Sequence, residues 1–168
     1  MYLKTIYDIR KAILSGILTE ETLQVLLDRS DNDCPGADVT SWRWGDFVKA
    51  QEMKDIFELH LFAVERGYIK SRSSATLFLS FVNTFRYSQK QIATFFELLP
   101  KINYTAKEIA AGVHDLGTRT AYDTVRYIAD RCNITSDEAN LMPVEEIMHI
   151  VLSDRRKAIY ERNLKLQK

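Results

Sequence analysis

The amino-acid sequence predicts an all-α fold, a compact multi-helix domain of about seven to eight helices, and three observations predict it. Apolar residues recur at three- and four-residue spacing along most of the chain, the period that returns side chains to one helix face. Ser or Thr followed three residues later by Glu or Gln opens several of those stripes, at Ser88–Gln91, Thr105–Glu108 and Thr135–Glu138. In such a capping box, two backbone N–H groups that a first helical turn leaves unbonded find acceptors. Finally, 168 residues hold only six Gly and three Pro, fewer turn-formers than an all-β chain of this length needs.

The elements are expected in this order. A helical hairpin occupies residues 1–29. Its first helix runs from about Leu3 to Ser15 on a stripe of Leu3, Ile6, Tyr7, Ile9, Ile13 and Leu14, and Gly16 stops it. Thr19 caps the second, with Glu20 and Glu21 in the first turn, where the helix dipole favours acids. Leu18 and Leu23 occupy the two positions of a hydrophobic staple. Residues 30–45 form an irregular linker that contains Pro35, Gly36, Trp42 and Trp44. The main helical core, 46–168, begins with one long helix from about Asp46 to Arg66, apolar on several sides and ended by Gly67. Residues 75–86 form the next helix, with Ser74 as its cap. Ser88 opens another, with Tyr87 and Ile92 as staple, and Pro100 ends it. A pair of helices spans 105–132. Pro143 starts the last helix, which runs to about Leu164 with Val144, Ile147, Met148, Val151 and Ile159 on its inner face.

Composition bounds the function. Hydrophobic residues make up 46% and charged residues 27%, which excludes a disordered chain. Net charge is zero, yet it is unevenly placed. Residues 1–66 hold eight Lys/Arg against twelve Asp/Glu, a balance of −4. Residues 153–168 hold six Lys/Arg (Arg155, Arg156, Lys157, Arg162, Lys165, Lys168) against Asp154 and Glu161, a balance of +4. A basic end of this kind meets phosphates or the acidic half of a neighbouring copy; a solvated helix end complementing its own dipole is the simpler alternative. Cys34 and Cys132 fit no zinc spacing and no CxxC pair. Asp8, Arg10 and Lys11 interrupt the apolar residues after Met1, so no signal peptide is read, and no apolar run reaches membrane-spanning length. Reduced thiols and a cytoplasmic location are expected, without a membrane partner.

No motif points to a reaction. Asp31, Asp33 and Gly36 imitate the opening of a calcium loop, but its fifth position is Pro35 and its twelfth is Trp42 instead of a bidentate Glu. Glu146 and His149 give a single Glu-x-x-His, where a di-iron bundle needs two. Gly-x-Ser-x-Gly and phosphate-binding glycine loops are absent. The expectation is therefore no catalytic residue, no metal and no cofactor. Small size, many Phe and Tyr and the missing catalytic signature would suit a phage-encoded helical protein, acting in a host cytoplasm or a virion, though no motif carries that further.

Two binding readings remain. In the first, the chain is a non-enzymatic protein–protein interaction module: an assembly factor, adaptor or inhibitor, or a self-associating protein. Its candidate contacts are Trp42 and Trp44, which flank Arg43, and the last helix, where Arg155, Arg156, Ile159, Tyr160 and Leu164 bring cations and apolar surface together. The tryptophans can alternatively close over the core, since Trp usually buries most of its area. In the second reading, residues 105–132 form a helix-turn-helix-like DNA-binding segment. Arg119, Thr120, Tyr122 and Arg126 would face bases and Lys107 would reach a phosphate. The turn glycine, Gly117, falls late for that unit, and Asp123 and Asp130 would repel phosphates.

Overall fold

The computed structural model describes residues 5–28, 34, 36–70, 74–102, 104–110 and 120–166. The fold is all-α, as expected: among the described residues no β-strand forms, only the single bridges Thr5–Ser74 and Arg43–Pro143. In chain order the helices are α1 (Ile6–Leu14), α2 (Glu20–Asp28), α3 (Trp44–Glu52), α4 (Ile56–Glu65), α5 (Ala75–Glu97), α6 (Ala106–Ala110), α7 (Ala121–Cys132), α8 (Ser136–Leu141) and α9 (Val144–Leu166). They gather into two compact units. The first comprises residues 1–42 and 49–94, the second residues 43–48 and 95–168.

Caps start and stop the helices of the first unit. Thr5 accepts from the Asp8 amide while the Asp8 carboxylate accepts from the Thr5 amide, a complete box at the head of α1. Gly16 and Gly67 take left-handed backbone beyond α1 and α4, at φ +70° and +77°, a conformation that favours glycine. Thr19 accepts from the Thr22 amide ahead of α2, and Leu18 beside it is buried. The core of this unit is aliphatic and aromatic: Ile9, Leu27, Val39, Trp42, Phe78, Phe81, Val82 and Phe85. The Trp42 ring stacks on Tyr68 with centroids 4.3 Å apart and planes 6° from parallel, and Phe85 tilts against it at 5.5 Å.

Two expected elements require correction. The single helix over 46–66 is broken at 53–55. The Asp55 carboxylate accepts from the Phe57 amide at 2.8 Å and caps a new helix, α4, while the Met53 amide closes α3 on the Ala50 carbonyl. The start at Asp46 also moves, to Trp44. The two helices expected on either side of Ser88 are one, α5. Ser88 does not cap; its hydroxyl is mid-helix and donates back to the Thr84 carbonyl at 2.9 Å, the usual resort of a serine inside a helix. Nothing between Ala75 and Glu97 breaks the stripe, and Phe78, Phe81, Phe85, Ser88 and Ile92 are all buried.

In the second unit, Trp44, Phe47, Val125, Ile128, Ala139, Val144, Ile147 and Val151 form the core. Trp44 packs on Phe47 and edge-on to Phe96, with centroids 5.7 and 6.3 Å away. Its amide donates to the Met142 carbonyl at 2.9 Å, which seats the start of α3 against the α8–α9 connection. The expected box at Thr135–Glu138 forms at α8. A further box, Thr120–Asp123, starts α7, and Asn133 ends that helix at φ +55°. Helix α6 does begin one residue after Thr105; the bond expected from Glu108 lies outside the described side chains.

Candidate functional site

The site builds on α9. Its first half is a core helix, with Val144, Ile147 and Val151 buried. Beyond Val151 the helix runs on for another 15 residues to Leu166, and polar contacts from one face hold it. Asp154 accepts from Tyr127 Oη at 2.7 Å and from Arg131 through two bonds, Nε at 2.7 Å and Nη2 at 3.2 Å. Such a forked guanidinium–carboxylate pair fixes orientation as well as distance. Arg155 Nε donates to the Pro100 carbonyl at 2.7 Å. Arg162 lies over the Tyr104 ring, 5.9 Å from its centroid, within cation–π range.

The opposite face is what remains. At 100° per residue, Arg156, Tyr160 and Leu164 fall on one line, across the helix from Val151, Arg155 and Arg162. Arg156 and Lys157 are exposed, Tyr160 is 63% exposed and Leu164 45%. Lys157 lies 3.9 Å from Glu161 on the same surface. A helix face that carries two cations, an aromatic ring and a leucine, on a helix tied down along its other side, is suited to hold a second surface.

The expected contacts therefore divide. Arg156, Tyr160 and Leu164 share the outer face of α9. Ile159 is half-buried, and Arg155 is turned inward to Pro100. Trp42 and Trp44 are both buried, each in its own unit, which is the packing alternative the sequence left open; neither ring presents a face to a partner. Trp42 Nε1 donates to the Gly36 carbonyl at 2.8 Å, whereas Trp44 Nε1 is buried with no acceptor among the described residues.

For the DNA reading, Lys107 is exposed on α6, and Tyr122 and Arg126 are exposed one turn apart on α7. Arg119 and the turn lie outside the described residues. Thr120 is not a free reading group, because its hydroxyl is engaged in the N-cap of α7. The same cap places the Asp123 carboxylate at the helix N-terminus, where a phosphate or base edge would approach, and Asp130 follows Arg126 by one turn. These carboxylates oppose contact with a polyanion.

The first unit carries a feature that the sequence did not disclose. A pocket of about 470 Å³ is lined by Cys34, Gly36, His60, Tyr68, Lys70 and Leu77, among others. His60 meets Phe78 and Phe81 edge-to-face at 5.4 and 5.3 Å, and burial lowers its pKa from the ordinary 6.5. Cys34 and Gly36 line this pocket together with Tyr68 and Leu77, far away in sequence, where Gly36 packs against the Tyr68 carbonyl; no local spacing signals it. His149 sits at the surface, 3.7 Å from Glu145. Asp31 and Asp33 lie outside the described residues. Among the described residues no three His, Cys, Asp or Glu side chains group as metal ligands, and no helix is long and apolar enough to cross a membrane. No protein-family model, curated protein or solved structure matches the chain.

Proposed function

We propose that this protein is a non-enzymatic protein–protein interaction module whose partner-binding surface is the outer face of α9. One observation carries the reading: the helix is anchored through Arg155 and Arg162 on one side, yet keeps Tyr160 and Leu164 exposed on the other. Tyr and Arg are the side chains that most often dominate protein interfaces, because they give large, stiff contact area together with directional polar groups. A helix offering them at four-residue spacing is read by a groove or by another helix.

The test is covalent capture. A photo-reactive phenylalanine analogue replaces Tyr160 in the full chain, expressed in its native cells, with a control probe at Asp137 on α8. The expected result is a defined protein adduct, identified by mass spectrometry, from position 160 and not from 137. The adduct is lost when Leu164→Asp is added. Absence of any protein adduct at 160 overturns the reading. A nucleic-acid adduct would overturn it equally, in favour of polyanion binding.

A further inference from the structure

The α9 face has a counterpart on the same chain. The end of α1 exposes Leu14, the connection to α2 exposes Ile17 and α2 exposes Val25, at 80%, 65% and 46%. Glu20 and Glu21 are exposed in the first turn of α2, Glu21 on the side of Val25 and Glu20 nearer the line of Leu27. On α2, Glu21 and Val25 are one turn apart and lie away from buried Leu27. One surface is thus apolar with two acids nearby; the other is apolar with Arg156 and with Lys157, which lies beside Glu161. Of the described residues, no cation pairs with Glu20 or Glu21 and no carboxylate pairs with Arg156. The wider charge follows the same division, −4 over residues 1–66 and +4 over 153–168.

We propose that the partner is a second copy of this chain, bound head to tail: the Arg156–Tyr160–Leu164 face of one copy seats on Ile17, Glu20, Glu21 and Val25 of the next. The inference rests on the reading of α9 as a protein-binding face. Apolar side chains and the bases opposite acids together supply the association, and the charges also select the orientation, since the reverse pairing would set like charges together. Such an interface is heterologous. Each copy keeps one unused face of each kind, so the assembly closes into a ring if the rotation allows and otherwise continues to grow.

Sedimentation velocity on the full chain tests this, at low and high salt and over a wide concentration range. The wild type is expected to form species heavier than one chain that dissociate as salt rises. The pair R156E/K157E and the pair E20K/E21K are each expected to be monomeric. Mixed in equal amounts, they are expected to associate again, because the unchanged faces pair with each other and the two reversed faces are complementary as well. This mixture also shows that both variants are folded. Combining all four substitutions in one chain is expected to restore self-association.

A wild type that stays monomeric throughout overturns the proposal, as does assembly unchanged by either pair of reversals or a mixture that does not combine. If the wild type is monomeric while the probe at position 160 captures a different protein, self-association alone falls and the binding reading stands. If the probe captures nothing, both fall.

Discussion

Gly36 shows how much one position can carry. Its backbone is left-handed at φ +86°, and a Cβ built there would lie 1.8 Å from the Tyr68 carbonyl oxygen. Its own carbonyl accepts the indole N–H of fully buried Trp42, whose ring stacks on the same Tyr68. Backbone strain and overpacking therefore act together. Gly36→Ala is expected to destabilise the protein by about 2 kcal/mol or more, since each effect alone costs roughly 1–3 kcal/mol. Urea unfolding followed by Trp fluorescence measures this; an unchanged midpoint would refute it. His60 gives a pH signature at the same scale. Burial disfavours its charged form and lowers its folded pKa below the ordinary 6.5. The unfolded chain then takes up the proton first, so stability is full above 6.5 and is lost as pH falls through the folded value. His60→Phe keeps an aromatic ring and has no proton to bind. Between about pH 7.5 and about pH 5.5 the wild-type unfolding midpoint is expected to fall more than that of the variant. The sequence disclosed neither case, because Gly36 and His60 acquire their surroundings only from distant residues.

Among the elements, helix starts were the most legible feature and also show where legibility stops. The box at Thr135 was readable because its partner is a glutamate, the residue that the pattern calls for. Thr5 and Thr120 form equally complete boxes with Asp8 and Asp123; a search for Glu or Gln passes over the shorter acid. Asp55 is hidden for a different reason. The apolar residues run on around it, and only the acid with Glu58 three positions later marks the new start. Ser88 is the opposite error, a good pattern whose hydroxyl is occupied by its own helix. Thr120→Ala is expected to cost about 1 kcal/mol, the usual contribution of a cap, read as a lower melting temperature with reduced helical signal. No change would mean that α7 starts independently of its cap. Where α7 meets α9, hydrogen bonds from Arg131 and then Tyr127 hold the Asp154 carboxyl below its ordinary 3.8. A depressed folded pKa stabilises wherever the group is ionised: the contribution is full above 3.8 and disappears as pH falls through the lower folded value. Asp154→Asn is expected to be less stable than the wild type near about pH 7, with the gap closing toward about pH 2, as thermal melts across that range would show. A gap independent of pH would mean that the amide loses shape, not charge.

At the scale of the whole molecule, the all-α class was open to sequence reasoning, but the grouping into two units was not. Residues 43–48 belong with 95–168 although the rest of their neighbourhood belongs with 1–94; that placement depends on Trp44 meeting Phe96 and Met142, contacts that no periodicity announces. The outer face of α9 was partly legible, because Tyr160 and Leu164 exceed what a solvated helix end requires, whereas the inward turn of Arg155 was hidden. The separation of charge is legible in full, and it has a consequence independent of any particular interface. A chain with no net charge and an isoelectric point near 6.8 has little overall repulsion to keep copies apart. Its oppositely charged segments attract those of other copies across distances that salt controls: the Debye length falls from about 30 Å at about 0.01 M to about 8 Å at about 0.15 M. Static light scattering near neutral pH is therefore expected to show net attraction between chains that weakens as salt is added across this range. A protein with evenly mixed charge would show little change, and one associating through apolar contacts alone would associate more strongly with salt. Attraction that grows with salt would show that the +4 and −4 ends do not govern how these molecules meet.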